Sequence, residues 1–177
     1  MRGLPELVSG AALILWLSAC SAPSQPKAMV AVPEGELHHS RDTVSVIVAG
    51  GKATSSTGPS QISDQDFAQA LRESIEKSGL FAKALGAPGG AYRLEAYIGQ
   101  LSQPVIGFDM TVTMEVGYVL TDTRSKKAVW KKSLASTYTA TTKDSIVGAT
   151  RLQMANEGAA RLNIRQAITE MSKLDLE

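Results

Sequence analysis

The longest regular pattern in the chain is a strict alternation from Met110 to Thr121. Met110, Val112, Met114, Val116, Tyr118 and Leu120 are apolar, and the intervening Thr111, Thr113, Glu115, Gly117, Val119 and Thr121 are mostly polar. Side chains two apart share one face of a strand, so this run predicts a strand buried on one side and wet on the other. Tyr92, Leu94, Ala96 and Ile98 alternate in the same way with Arg93, Glu95 and Tyr97. A turn over 122–127 leads to a returning strand over 128–140. Its Lys131, Lys132, Ser133 and Ser136 suit a sheet edge protected against aggregation. Val44, Val46, Ile47 and Val48 mark a shorter, β-branched strand within 43–49.

After Ser63 the period becomes helical. Phe67, Leu71, Ile75 and Ser78 lie on one stripe with Ala70 and Ser74 beside them. Ser63 is placed to cap this helix, and Asp66 sits near the positive end of its dipole. Arg72–Glu76 and Glu73–Lys77 are outward i,i+4 pairs. Gly79 supplies a left-handed stop, after which Leu80 and Phe81 fold back onto the core and 86–90 form a loop. A second helix is predicted from about Thr150 to Leu174. Its stripe is Leu152, Ala155, Ala159, Leu162, Ile164, Ala167, Ile168 and Met171, with Arg151, Glu157, Arg161, Arg165 and Lys173 elsewhere. Gly158 weakens it by ~1 kcal/mol relative to Ala, while its small neighbours permit close approach to the sheet. The order β-α-β-β-β-α predicts one α+β domain over 42–177. It is two-layered, with a four-stranded, mostly antiparallel sheet and two helices on one face. The position of the first strand in that sheet stays open.

Residues 21–41 contain Pro23, Pro26 and Pro33 and no sustained periodicity, so they read as a flexible tether. Before them, the apolar stretch from Leu7 to Leu17 reaches only about 16 Å as a helix, against a bilayer core of about 30 Å. It has the length of a secretory signal core. Leu17, Ser18, Ala19 and Cys20 resemble the lipobox of bacterial lipoproteins. That resemblance implies removal of residues 1–19, a thioether-linked diacylglycerol on Cys20 and an N-acyl chain on its new amine. Two or more acyl chains anchor a protein stably where one does not. The alternative is ordinary signal cleavage after Ala19, with Cys20 incidental. Ser21, in place of an inner-membrane-retaining Asp, points to the inner leaflet of the outer membrane, facing the periplasm.

Composition narrows the chemistry. Of 177 residues, 44% are apolar, and 18 basic against 17 acidic residues give a net charge of +1. A chain this balanced lacks the cationic excess of a nucleic-acid binder and the low hydrophobicity of a disordered one. With one Cys there is no internal disulfide or multi-Cys metal cluster. His38 and His39 are adjacent, which on extended chain directs them to opposite sides and makes them poor joint ligands even with Glu34 and Glu36 nearby. Gly50-Gly51-Lys52 fails as a phosphate loop, because Val46 and Ala53 occupy positions that need Gly and Ser or Thr. Glu95 and Glu115 fall on neighbouring strands and read as solvated rather than as a glycosidase pair. No metal or other cofactor and no catalytic residue is expected. Arg124, Lys126, Lys127, Lys131 and Lys132 gather around Trp130 on one hairpin. Two readings stand: a candidate interaction surface for anionic lipid, lipopolysaccharide or an acidic partner, or a solvated turn with Trp130 in the core.

The stretches FAQALRESIEKSGLF (67–81) and YRLEAYIGQLSQ (92–103), with the hairpin and the helix after it, resemble the YajG-like family of bacterial lipoproteins. The resemblance implies a non-enzymatic envelope lipoprotein and supplies no catalytic or binding motif. The expected function is therefore an accessory component of an envelope complex, held to the membrane by its lipid and bound to an envelope protein. The alternative is a carrier for a lipid or glycan. A carrier needs an apolar cavity, and a chain with 5% aromatics has little beyond what fills its own core.

Overall fold

Alternation along β4 (Met110–Asp122) sets the frame of the molecule. In the computed structural model, which describes residues 22–35 and 37–176, the six alternating apolar side chains from Met110 to Leu120 are all buried, while Thr111 and Glu115 are exposed and Val119 is half-buried. β4 pairs antiparallel with β3 (Tyr92–Ser102) on one side and with β5 (Lys127–Ala140) on the other. β1 (Ser40–Ala49) runs parallel to β3, with Val44 opposite Tyr92 and Ala49 opposite Tyr97.

The sheet has five strands, not four. Phe81–Leu85 forms β2, parallel to β1 at the outer edge, and the order is β2-β1-β3-β4-β5. Two parallel and two antiparallel pairings make the sheet mixed, which corrects the mostly antiparallel expectation. β2 is short and mostly small or polar (FAKAL), so only Phe81 and Ala84 are buried. Its pairing comes from the crossover: the α2 stop at Gly79 (φ 68°) returns the chain alongside β1.

One face of the sheet is covered by α2 (Asp64–Ser78) and α3 (Gly148–Met171). Ser63 caps α2 by accepting from the Asp66 amide. α3 is less amphipathic than its stripe suggested. Leu162 is only half-buried, whereas Asn156 and Asn163 are fully buried and Arg151 and Glu157 are 6% and 7% exposed. Each has at least one polar partner, as buried polar groups require, and Arg151 Nε alone among their buried side-chain nitrogens and oxygens lacks one. Asn156 donates to the Ser60 carbonyl (2.9 Å) and accepts from Gln103 Nε2 (2.7 Å). Asn163 accepts from the Tyr118 hydroxyl (2.8 Å) and donates to the Leu134 carbonyl (2.8 Å), fastening α3 to the outer strand.

The segment expected to be a free tether is docked where it is described. A short helical turn, α1 (Pro26–Met29), puts Met29 into the core at 0% exposure, in contact with α2 and α3. The Gln25 amide donates to Glu157 Oε1 (2.8 Å), and Arg161 Nη1 donates to the Ala28 carbonyl (2.8 Å). The Ala31 amide donates to Ser74 Oγ (2.9 Å). Pro26, one of the three prolines that suggested a linker, starts this turn.

Candidate functional site

The basic hairpin is held by its own turn. Asp122 Oδ1 accepts from the Arg124 and Ser125 amides (2.8 and 3.0 Å), and Lys126 takes the left-handed conformation at φ 57°. Those amide donors, the Ser125 amide first, hold the Asp122 carboxyl below its ordinary value. Arg124, Lys126 and Lys127 are exposed at the tip. The other two lysines part company across the sheet. Lys131 pairs with Val119 and lies on the open face, whereas Lys132 pairs with Tyr118 and lies on the helix side. There its Nζ reaches Glu170 Oε2 of α3 at 2.6 Å, and Lys173 reaches the other oxygen at 2.7 Å. These two lysines pull the Glu170 carboxyl down from 4.5 to about 2. Trp130 is half-buried and packs on Tyr118 with ring centroids 6.0 Å apart, which places it with the core. The cluster is thus a cationic tip of three residues, one lysine on the open face and one lysine tied to α3.

The open face of the sheet is polar and cross-bonded along β4 and β5, while Ile47 and Tyr97 are exposed on its β1 and β3 part. Thr111 and Thr113 hydrogen-bond Thr139 and Thr137 across the strands (2.9 Å each), and Glu115 accepts from Ser133 (2.7 Å). Glu95 lies beside Arg93 at 3.6 Å, so the two acids are separately engaged. Of the histidines, His39 bonds the Gly79 carbonyl through Nδ1 (2.9 Å). Among the described residues no group of three or more His, Cys, Asp or Glu is placed to hold a metal, and no helix is long and apolar enough to cross a membrane. Between β5 and α3 lies an open groove of about 470 Å³ whose rim includes Leu134, Arg165 and Glu170.

A different surface escaped the sequence reading. The β3–β4 loop exposes Val105, Ile106 and Phe108 at 95%, 90% and 85%, and the β5–α3 loop exposes Ile146 at 90% and Val147 at 54%. Both loops lie at the Met110–Ala140 end of the β4–β5 ladder, opposite the hairpin tip. Arg151 joins them: Nη1 donates to the Ser145 carbonyl (2.8 Å), and Nη2 lies 3.5 Å from that of Gly107. The signal was a Val-Ile-Gly-Phe run inside a Pro- and Gly-bearing loop, where apolar residues serve no strand. Ala22 lines the same cleft, of about 220 Å³, as Val105, Met110 and Gly148. Leu17, Ser18, Ala19 and Cys20 lie outside the described residues.

No protein-family model and no curated protein matches the sequence. Solved structures share the fold. A Xanthomonas campestris protein of the family DUF330 superposes with a TM-score of 0.66 at 12% identity, over 86% of this chain and 95% of that one. A PelC dodecamer subunit from Paraburkholderia phytofirmans gives 0.51 at 15% identity, over 80% and 94%. A candidate lipoprotein of Caulobacter crescentus CB15 gives 0.50 at 18%, over 73% and 88%. At these identities the likeness is one of fold.

Proposed function

We propose that this chain is a lipid-anchored bacterial envelope protein, acylated on Cys20, that works without catalysis as an accessory, binding component of an envelope complex. The observation that carries the reading is Leu17-Ser18-Ala19-Cys20 standing immediately before a segment that docks onto the domain. Support for a binding role comes from how the polar groups are used. The buried ones of α3 are engaged in packing, and the acids of the open face are engaged by neighbours. Lys126 and Lys127, with Arg124 beside them at 4.0 Å from Asp122, and the outer strand β5 are left to meet a partner, by charge and by strand addition. The fold is also that of PelC, which assembles as a dodecamer, and of a candidate lipoprotein. A YajG-like affiliation and an outer-membrane, periplasm-facing location belong to the same proposal. The groove beside β5 is open rather than enclosed, which favours a protein partner over a carried lipid or glycan.

The test is intact mass and fractionation of the chain expressed with its first nineteen residues. The expected mass is that of a chain starting at Cys20 plus its acyl chains, and Cys20→Ala should leave the lipid-anchored pool. A membrane-bound chain with a free, unmodified Cys20 thiol would overturn the reading.

A further inference from the structure

We propose that the loops carrying Val105, Ile106, Phe108 and Ile146 seat the domain in the surface of the same bilayer that holds the Cys20 lipid. This rests on the lipoprotein reading. Monomeric surfaces carry single apolar residues without consequence, but a cluster on protruding loops marks a contact. Here four large apolar side chains, each at least 85% exposed, project from two neighbouring loops. They stand beyond the ends of β3, β4 and β5, and Val105 also lines the cleft that Ala22 enters.

Three observations choose a bilayer as the occupant. The first is where the chain leaves the described residues: Ala22 shares a cleft with Val105 and Gly148. Cys20 is two residues earlier, and two residues of extended chain span at most about 7 Å. Acyl chains on Cys20 therefore enter the membrane beside these loops. The second is that the segment after Ala22 is docked, with Met29 in the core, so this end stays turned toward the anchor. The third is charge: residues 104–108 contain no ionisable side chain, and the exposed charges flanking the two loops are Asp109, Lys143 and Asp144, the last engaged by Thr141, while the exposed Arg124, Lys126 and Lys127 sit at the far end of the β4–β5 ladder. Apolar residues at such a tip bury into the headgroup–acyl boundary as those of interfacial anchors do. Arg151 holds the two loops together, so they meet the surface as one unit.

The experiment uses the full lipidated chain in phosphatidylethanolamine–phosphatidylglycerol vesicles. Single thiols are introduced as Ile106→Cys, Phe108→Cys or Lys126→Cys and labelled with a polarity-sensitive dye. Thioether formation removes the Cys20 thiol, and the intact mass of each sample reports its acyl chains. With Cys20 acylated, the dyes at 106 and 108 should shift to the blue and be quenched when the lipids carry brominated acyl chains, and the dye at 126 should do neither. Acylated protein whose dyes at 106 and 108 are unquenched overturns this inference and leaves the lipoprotein reading standing. That holds whether those dyes face water, a second copy or another protein. Absence of acyl mass overturns both. Both side chains are exposed, so neither replacement touches the core, and the two positions check each other.

Discussion

Replacing Gly158 by Ala sets two effects of known size against each other. In an isolated helix the change is favourable by ~1 kcal/mol, because glycine loses more backbone freedom on folding. In the folded chain the new Cβ would lie 2.3 Å from both Cγ and Cδ1 of Tyr138 and 2.7 Å from its Cε1. Tyr138 is on β5 opposite Val112, facing α3. Its Cγ is placed by χ1 alone, so tilting the far end of the ring relieves nothing. Either the ring leaves its rotamer or α3 moves off β5, and overpacking of this kind costs ~1–3 kcal/mol. Moving the ring also weakens the contact with the Arg161 guanidinium, 5.8 Å from its centroid, worth ~0.5–1 kcal/mol at a partly exposed site. The net expectation is a loss of about 1–2 kcal/mol. At a urea slope of ~1–3 kcal/mol/M this lowers the unfolding midpoint by roughly 0.5–1 M with the slope unchanged. Removing the ring first should invert the sign: in a Tyr138→Ala background, Gly158→Ala should stabilise by up to ~1 kcal/mol. The cycle reads that coupling directly. Stabilisation by Gly158→Ala with Tyr138 present, or an undiminished loss without it, would refute the close approach of α3 to β5.

Three other outcomes are expected. Met114→Asp places an unpaired charge in the core and should abolish cooperative urea unfolding, whereas Thr113→Asp, on the open face, should shift the midpoint only slightly. Glu170 has its folded pKa lowered from 4.5 to about 2 by Lys132 and Lys173. Its contribution is therefore full above about pH 5 and is lost as the pH falls through 4.5 toward 2. Glu170→Gln should flatten the pH dependence of the urea midpoint in that window and leave the rest of the profile alone. Changing Lys126, Lys127 and Lys131 together to Gln should keep the midpoint and reduce salt-sensitive crosslinking to envelope partners, because exposed charges are screened beyond roughly 8 Å at physiological ionic strength. Lys132 does not belong in that set, since its charge is engaged by Glu170.

How much of this was legible in the sequence depended on whether a segment carries its own periodicity. The six alternating apolar residues of β4, Met110 to Leu120, do, and every one is buried. So does α2, down to the Ser63 cap and the Gly79 stop. β2 carries almost none: Ala82, Lys83 and Ala84 form a strand because β1 offers them a parallel edge, a tertiary cause that no local pattern announces. Arg151 and Glu157 look like outward positions of α3, yet both are buried, since the 104–108 and 141–147 loops and the Gln25 amide come to meet them. The proline-bearing stretch before β1 misled in the same way. Its one strongly apolar residue in the α1 turn, Met29, is enough to dock it, but a single residue shows no period.

That docked stretch changes what the cationic tip can reach. Twenty flexible residues between lipid and domain would have a root-mean-square span of about 25 Å and would let the domain turn any side to the membrane. With the chain packed from Ala22 onward, two residues of chain, at most about 7 Å when extended, would link the domain to a lipid on Cys20. The tip of Arg124, Lys126 and Lys127 then stands the length of β4 away. Thirteen residues at ~3.3 Å each put it roughly 40 Å from the apolar loops. Charges at that distance, several screening lengths off, gain nothing from the headgroups of the anchoring leaflet. In the proposed orientation a partner of the tip would be an acidic group met farther out, and an acidic protein surface fits that position better than anionic lipid does. Crosslinks from Lys126 and Lys127 in native envelopes should accordingly land on protein carboxylates, and recovery of these lysines on phospholipid of the anchoring leaflet would contradict the orientation.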